Sequence, residues 1–209
     1  DLTNLPLSTE QKIRLKEMIQ LYRVGTSTAR ATAGWSIWWQ IDDKGNARTG
    51  KLMKYLTNGH RDKTSRYSFN FVHAMMKHVG MYDDTKYRIE SCLFGLHLVD
   101  IYPQADICIV ESEKSALICS AFTNPEKQLW LATSGKNGLN RKKLQPLINR
   151  HRTIIIYPDK DGYEEWRRMA NSIEYSKLTV SQEVNELWKP EDGEKADIAD
   201  IFIRQLNNN

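Results

Sequence analysis

The sequence predicts an α/β protein in which a parallel sheet is flanked by helices and preceded by a smaller α+β subdomain containing a β-hairpin. From residue 106 onward, short apolar segments such as "DICIVE" and "QLWLAT" alternate with helical segments such as "EKSALICSAF". This alternation is typical of βαβ units, which build parallel sheets. The residues before it predict helices and a hairpin with a two-residue hydrophobic period instead. We therefore place a domain boundary near "IYPQAD", between residues 1–105 and 106–209.

The first region opens with a predicted helix, in which Ser8 and Gln11 have the spacing of a capping box. The stretch "GWSIWWQIDDKGNARTGKLMKYL" alternates in polarity on both sides of a glycine-containing turn, which predicts the β-hairpin. "FNFVHAMMKHV" is predicted as a short helix. Trp38 falls on the polar side of its strand. It is either an exposed surface on which a base can stack or a side chain covered by a helix, and the second interpretation is favoured.

The second region continues with a glycine-rich turn, "SGKNG", and a helix, "NRKKLQPLINR", that contains Pro146. The strand "TIIIYP", the helix "GYEEWRRMANSIEY" and the strand "KLTVSQ" follow. Each strand is short and apolar, as expected for strands buried on both faces of a sheet.

Composition excludes several classes of protein. The chain has 209 residues, of which 40% are hydrophobic and 27% charged, so a folded core is expected. No apolar run approaches the roughly 18 residues of a membrane helix, and the polar start does not resemble a signal peptide. The first residue is Asp1, which indicates a fragment or a processed chain. Three scattered cysteines predict no disulfide framework and no zinc ribbon, and they favour a reducing cytoplasm.

Positive charge is concentrated in one stretch. The net charge is +4, and residues 127–152 carry seven basic residues and no acidic one. Such a stretch fits a polyanionic partner, but a solvated helix face is the commoner explanation for a basic run. Charge alone therefore does not identify a nucleic-acid partner.

Carboxylates follow two of the predicted parallel strands. Glu111 ends one strand, and Asp159 and Asp161 follow another. Because ligands bind at the carboxyl ends of such strands, and because alternate residues of an extended chain point the same way, these side chains are predicted to converge on Mg²⁺ or Mn²⁺. The alternative is that Asp161 and Ser112 cap the helices that follow. Spacing alone leaves both interpretations open.

Several motifs in one order resemble the TOPRIM domain of bacterial and phage primases. "CIVESEKSALI" is similar to its glutamate motif, "SGKNG" to its glycine turn and "IIIYPDKDG" to its Asp-x-Asp motif. Upstream, "LFGLHLV" and "WWQIDDKGNARTGKLMKY" resemble segments of the primase N-terminal subdomain, and "GEKADIAD" resembles a late acidic motif. The resemblance implies a TOPRIM-like sheet and a primase-like core without its zinc-binding module. Ser112 and Ser115, where primases have Gly and Asp, are closer to phage and mobile-element relatives.

The resemblance also implies roles for individual residues. Asp159 and Asp161 would hold the metal ion, and Glu111 would be a metal ligand or a general acid/base. Basic side chains would contact nucleotide or nucleic-acid phosphates, and further acids would extend the cluster. The basic candidates are Lys51, Lys54, Lys114, Lys136, Lys142 and Lys143, and the accessory acids are Glu113, Asp197 and Asp200.

Three functions remain open from the sequence. The favoured one is primase-type nucleotidyl transfer on single-stranded DNA, because the N-terminal hairpin resembles the primase arrangement. The same carboxylates would also suit a metal-dependent nuclease. A non-catalytic nucleic-acid-binding subunit, working with a helicase or a mobilisation protein, is the third.

Overall fold

The computed structural model describes residues 7–57, 59–64 and 67–207 and contains two four-stranded sheets. The chain opens with helix α1 (Thr9–Leu21). Its predicted capping box is confirmed, because Gln11 N donates to Ser8 Oγ at 3.2 Å and Ser8 N donates to Gln11 Oε1 at 2.7 Å. The reciprocal bonds satisfy two amide groups that a helix start would otherwise leave unpaired.

The first sheet is antiparallel, in the order β1-β2-β3-β4. Its strands are β1 (Gly25–Thr26), β2 (Ser36–Ile41), β3 (Ala47–Met53) and β4 (Phe69–Phe71), and helix α2 (Val72–His78) follows. Strands β2 and β3 form the predicted hairpin. The prediction of a single helix over "FNFVHAMMKHV" is wrong for its first three residues, because Phe69–Phe71 pairs with the free edge of β3. The pairing of these residues with a strand distant in sequence outweighs their local helical pattern.

Trp38 is fully buried, so the interpretation of an exposed stacking surface is wrong. Its indole packs edge-on against Phe94, with ring centroids 5.6 Å apart, and against Tyr55 at 6.2 Å. The predicted cover is therefore present, but the rings that contact Trp38 come from non-helical segments rather than from a helix. Tyr55 and Phe94 thus cover Trp38 on the nominally polar face of β2, and Gln40 on the same face donates from Nε2 to Ser134 Oγ of the second region at 2.9 Å.

The second sheet is parallel, in the order β6-β5-β7-β8, and confirms the predicted fold class. Its strands are β5 (Asp106–Val110), β6 (Gln128–Ala132), β7 (Ile154–Ile156) and β8 (Leu178–Val180). The intervening helices are α3 (Glu113–Phe122), α4 (Arg141–Asn149) and α5 (Tyr163–Asn171), and α6 (Glu183–Leu187) and α7 (Ile198–Asn207) complete the chain.

One continuous hydrophobic core joins the two sheets. It includes Trp38 from the first sheet, the apolar residues of β5 and the linking residue Phe94. The Phe94 N–H donates to Ala132 O at 2.9 Å, which fastens this link to the edge of β6. The boundary that we propose before residue 106 falls at the start of β5. No helix among the residues that the structure describes is long and apolar enough to cross a bilayer.

Candidate active site at the ends of the parallel strands

The two carboxylate motifs lie at the same edge of the parallel sheet. Strands β5 and β7 are hydrogen-bonded neighbours, and Ile109 pairs with Ile156 near their carboxyl ends. Glu111 follows β5 directly, and Asp159 lies three residues beyond the end of β7. Adjacent parallel strands therefore deliver both motifs to the edge where α/β proteins bind ligands.

The sequence predicted that Asp159 and Asp161 lie in an extended chain and point the same way. This prediction is wrong. Residues Lys160–Gly162 form a 3₁₀ turn, closed by a bond from Gly162 N to Asp159 O at 2.9 Å. The helix-cap alternative for Asp161 is also wrong, since Gly162 is the N-cap of α5 and no side chain caps that helix. The cap predicted for α3 is confirmed, because Ser112 Oγ accepts from Ser115 N.

The carboxylates act on one another electrostatically. Burial raises the pKa of Asp159 to about 8, and the charges of Asp197, Glu111 and Asp161 act in the same direction. Burial and Asp161 also raise the pKa of Glu111, whereas Lys136 opposes the rise through both its charge and its backbone amide. Within the described ranges, no ion pair or hydrogen bond reaches the Asp159 carboxylate. Asp159 is thus an acid whose ionised form lacks a neutralising partner.

The three carboxylates suit a hard divalent cation, but they do not lie close enough together to coordinate one ion as they stand. Across residues 7–57, 59–64 and 67–207, no three Asp, Glu, His or Cys side chains are already grouped closely enough to hold an ion. Glu111, Asp159 and Asp161 offer only carboxylate oxygens, which Mg²⁺ and Mn²⁺ prefer. A cation would also relieve the repulsion that raises the pKa of Asp159.

The accessory acids Asp197 and Asp200 form a reciprocal cap at the start of α7. Asp197 Oδ1 accepts from Asp200 N at 3.0 Å, and Asp200 Oδ2 accepts from Asp197 N at 3.1 Å. The other oxygen of Asp197 accepts a hydrogen bond from Ser115 Oγ. Burial, followed by the charge of Asp197, raises the pKa of Asp200 to about 6. Both acids therefore have structural partners while their charges still act on Asp159.

Glu113 is buried and connects the two sheets. Its Oε2 lies 3.1 Å from Lys51 Nζ, and its Oε1 is buried with no partner among the described residues. Lys51 also donates to Ser134 O at 3.3 Å. Lys51 was predicted to contact nucleotide or template, and the structure places it on β3 in contact with the glycine turn as well.

A second lysine contacts the residue that precedes the same turn. Lys143 Nζ donates to Thr133 O at 3.0 Å, and burial lowers the pKa of Lys143. At Gly138, a Cβ atom would lie 2.3 Å from Thr133 O, so no larger residue fits there without rearrangement. The turn is held close to the sheet by a glycine and two lysines.

The remaining predicted lysines are distributed around this centre. Lys136 pairs with Glu165 at 2.9 Å, and both side chains are more than one third exposed. Each of the other three also has a polar contact within the protein. Lys54 pairs with Asp62 at 2.8 Å, Lys142 pairs with Glu90 at 2.7 Å, and Lys114 Nζ lies 3.5 Å from Gly59 O.

A cleft of about 500 Å³ separates the antiparallel sheet from the glycine turn. Lys136 and Lys143 line one side, and Phe71 and His73 line the other. Both residues fall within the predicted helix "FNFVHAMMKHV", and neither was assigned to a site from the sequence. The pairing of β4 with β3 brings both residues to the cleft, and a sequence pattern of three residues carries too little signal to predict that pairing.

A family model described as "Domain of unknown function (DUF6371)" matches residues 3–160. The chain belongs to the DUF6371 family. No curated protein matches it by sequence.

Solved structures show what fold this DUF6371 protein has. It is similar to the primase fragment of the bacteriophage T7 primase-helicase protein, with a TM-score of 0.57, 15% identity, and coverage of 92% of this chain and 66% of that one. It is also similar to the DnaG catalytic core (TM-score 0.56, 12% identity, 96% and 69% coverage). A third match is the DnaG primase catalytic domain bound to ssDNA (TM-score 0.53, 10% identity, 96% and 76% coverage). The fold is primase-like, and the chain spans about two thirds of the T7 fragment.

Proposed function

We propose that this protein is a metal-dependent nucleic-acid enzyme that carries out primase-type nucleotidyl transfer on single-stranded DNA. The observation that carries the proposal is the placement of Glu111, Asp159 and Asp161 beyond two adjacent parallel strands, where burial and mutual repulsion raise the pKa of Asp159 to about 8. A site that holds unpaired acids together at a cost in stability is typical of function rather than of folding.

Glu111, Asp159 and Asp161 would hold Mg²⁺ or Mn²⁺, as in a TOPRIM domain. When bound, the ion would neutralise phosphate charge and stabilise developing charge on the reacting oxygens. Glu111 would be a metal ligand or would exchange a proton with a reacting hydroxyl, and burial raises its pKa. Lys136 and Lys143 would bind phosphates in the cleft, while Lys51 and Glu113 keep the turn in position.

Single-stranded DNA and nucleotides are the proposed ligands, and a helicase or mobilisation protein is the proposed partner. The similarity to a phage primase-helicase fragment and to a DnaG domain bound to ssDNA supports these assignments. Lys54, Lys114 and Lys142 would then contact the nucleic acid outside the cleft. We also propose a cytoplasmic location, an origin in a mobile element, and the division into residues 1–105 and a TOPRIM domain at 106–209.

A non-catalytic role is the second candidate, and one observation favours it. Ser115 stands where primases have Asp, and its hydroxyl is already committed to Asp197. A serine at this position leaves the site with one carboxylate fewer, and its hydrogen bond engages the Asp197 carboxylate. A subunit that binds nucleic acid without catalysis would tolerate both changes.

The test is a synthesis assay with single-stranded DNA, labelled nucleotides and Mg²⁺ or Mn²⁺, in which both products and template are sized. Short labelled products that require metal and disappear in Asp159→Asn and Glu111→Gln would support the primase proposal. The surface variant Glu164→Gln, on α5, serves as the matched control. Template shortening without synthesis would indicate a nuclease, and DNA binding with neither product would indicate the non-catalytic role.

A further inference from the structure

We propose that Phe71 and His73 form the base-contacting wall of a nucleotide-binding cleft. A nucleoside triphosphate would stack its base on this wall while its phosphates face the glycine turn. The inference rests on the proposed function and adds to it the residues that recognise the base. These residues belong to β4 and α2, outside every motif identified in the sequence.

The two sides of the cleft differ in chemistry as the two ends of a nucleotide do. Lys136 and Lys143 supply positive charge on the side of the turn. Phe71, Ile89 and the imidazole of His73 supply ring and apolar surface on the opposite side. The volume of about 500 Å³ falls within the range of roughly 300–1,000 Å³ common to small-molecule sites.

The two rings are arranged as a platform. The centroids of Phe71 and His73 lie 5.4 Å apart, with 31° between the ring planes. Both side chains are only partly buried, so ring surface remains accessible from the cleft. Tyr82 packs edge-on against His73 at 6.4 Å and supports it from outside. A base presents a π-face whatever its identity, so such a platform can bind it by stacking.

Hydrogen bonding fixes the platform and leaves polar atoms for recognition. Thr49 Oγ1 and His73 Nδ1 lie 2.7 Å apart, which orients the imidazole. Among the residues that the structure describes, Nε2 of His73 has no hydrogen-bond partner. Behind the same cleft, Gln40 is 1% exposed, its Nε2 donates to Ser134 Oγ at 2.9 Å, and its Oε1 is an unpartnered buried acceptor. Unpaired polar atoms at a cleft of this size favour a ligand with its own donors.

The inference is tested by comparing a triphosphate that carries a nucleoside with one that does not. Each of the four ribonucleoside triphosphates and inorganic tripolyphosphate is titrated calorimetrically, with Mg²⁺ present, into the wild-type protein. We expect at least one nucleotide to bind about tenfold or more tightly than tripolyphosphate, because stacking on a ring platform adds affinity. Equal affinities for all five ligands would overturn the inference.

Variants then assign the difference to the two rings. Phe71→Leu and His73→Ala should weaken nucleotide binding about tenfold and leave tripolyphosphate binding unchanged. His73→Phe, which keeps a ring, should retain most of the affinity. Tyr67→Leu removes an exposed ring outside the cleft and should have no effect on either affinity. Unchanged nucleotide affinity in Phe71→Leu and His73→Ala would overturn the inference. Binding of oligo(dT) is measured in the same variants, and a loss of affinity for oligo(dT) alone would also overturn it.

These outcomes are separate from those that test the proposed function. Binding requires no synthesis, so ring-dependent nucleotide affinity in a protein that makes no primers would support the cleft and reject the primase activity. Primer synthesis by a protein whose nucleotide affinity does not depend on the two rings would support the primase activity and reject the cleft. Thermal melts of each variant identify any that fail to fold, and His73→Phe provides a second, conservative probe of the same position.

Discussion

Lys51 Nζ lies 3.1 Å from Glu113 Oε2 and joins the antiparallel sheet to the first helix after β5. The Lys51 side chain is 14% exposed and that of Glu113 is 3% exposed, so water screens the pair only weakly. The ion pair lies between the two halves of the chain and also contacts the glycine turn through Ser134 O. It therefore links β3, which pairs with Phe71 of the cleft, to helix α3.

Breaking this ion pair should destabilise the protein strongly. We expect Lys51→Met to lower the free energy of unfolding by about 3–5 kcal/mol, because it leaves the Glu113 carboxylate buried without a partner. The double variant Lys51→Met with Glu113→Gln should recover much of the loss. Urea denaturation measures all three proteins. Lys142→Met, in an exposed pair with Glu90, should cost less than about 1 kcal/mol, and an equal cost for Lys51→Met would contradict the account.

The stability of the metal-free protein should fall as the pH rises. Asp159 has a folded pKa of about 8 against an ordinary 3.8, so between these values the folded state binds more protons than the unfolded state. Its contribution is therefore neutral below about pH 4 and becomes progressively unfavourable up to about pH 8. Urea denaturation in EDTA at several pH values should show a shallower decline for Asp159→Asn. Parallel pH profiles of the wild type and the variant would refute the raised pKa.

Substitutions of Ser115 should destabilise the protein, because its hydroxyl donates a hydrogen bond to the Asp197 carboxylate. Ser115→Ala should cost about 1–3 kcal/mol, because a buried acceptor loses its donor. Ser115→Asp, which introduces the residue that primases carry, should destabilise the metal-free protein by like-charge repulsion, and Mg²⁺ should restore part of the loss. Thermal melts with EDTA and with Mg²⁺ distinguish the two effects. Ser115→Asp at wild-type stability in EDTA would mean that Asp197 is not held where the structure places it.

Binding of single-stranded DNA should depend on salt through the cleft lysines. Each phosphate contact contributes about −0.7 to the slope of log affinity against log salt. Lys136→Ala should reduce the magnitude of that slope by one such contact, and Lys142→Ala should reduce it less, because Lys136 lines the cleft and Lys142 does not. Fluorescence anisotropy at several salt concentrations provides the measurement. Identical slopes for the wild type and Lys136→Ala would exclude Lys136 from the DNA contact.

The sequence predicted the parallel half well because its signals are local. Each strand from β5 to β8 is a short apolar run with turn residues on both sides, and α3 begins at the predicted Ser112 cap. The placement of Glu111 and Asp159 at one edge of the sheet also followed from the predicted parallel direction of the strands. The path after Asp159 did not, because the 3₁₀ turn at Lys160–Gly162 breaks the extended alternation that the prediction assumed.

The antiparallel half was harder to predict because both faces of β2 contact other parts of the protein. Trp38 is buried by Phe94, while Trp39 on the opposite face lines a groove beside α2. Alternation of polarity identified the strand, and the favoured interpretation that the Trp38 face is covered is confirmed, but the pattern did not identify the residues that cover it. The aromatic wall of the cleft depends on the pairing of Lys51 with Phe71, a contact between strands that no local pattern specifies.

The central claim is that Glu111, Asp159 and Asp161 bind a divalent cation, and direct Mn²⁺ binding tests it. Free Mn²⁺ is measured by electron paramagnetic resonance during titration of the wild type, Asp159→Asn and the control Glu164→Gln. We predict saturable binding in the wild type and the control that is lost in Asp159→Asn. Melts at about 100 times the dissociation constant should show roughly 2.7 kcal/mol of stabilisation in the same two proteins alone. Equal Mn²⁺ binding in Asp159→Asn, or none in the wild type, would contradict the claim.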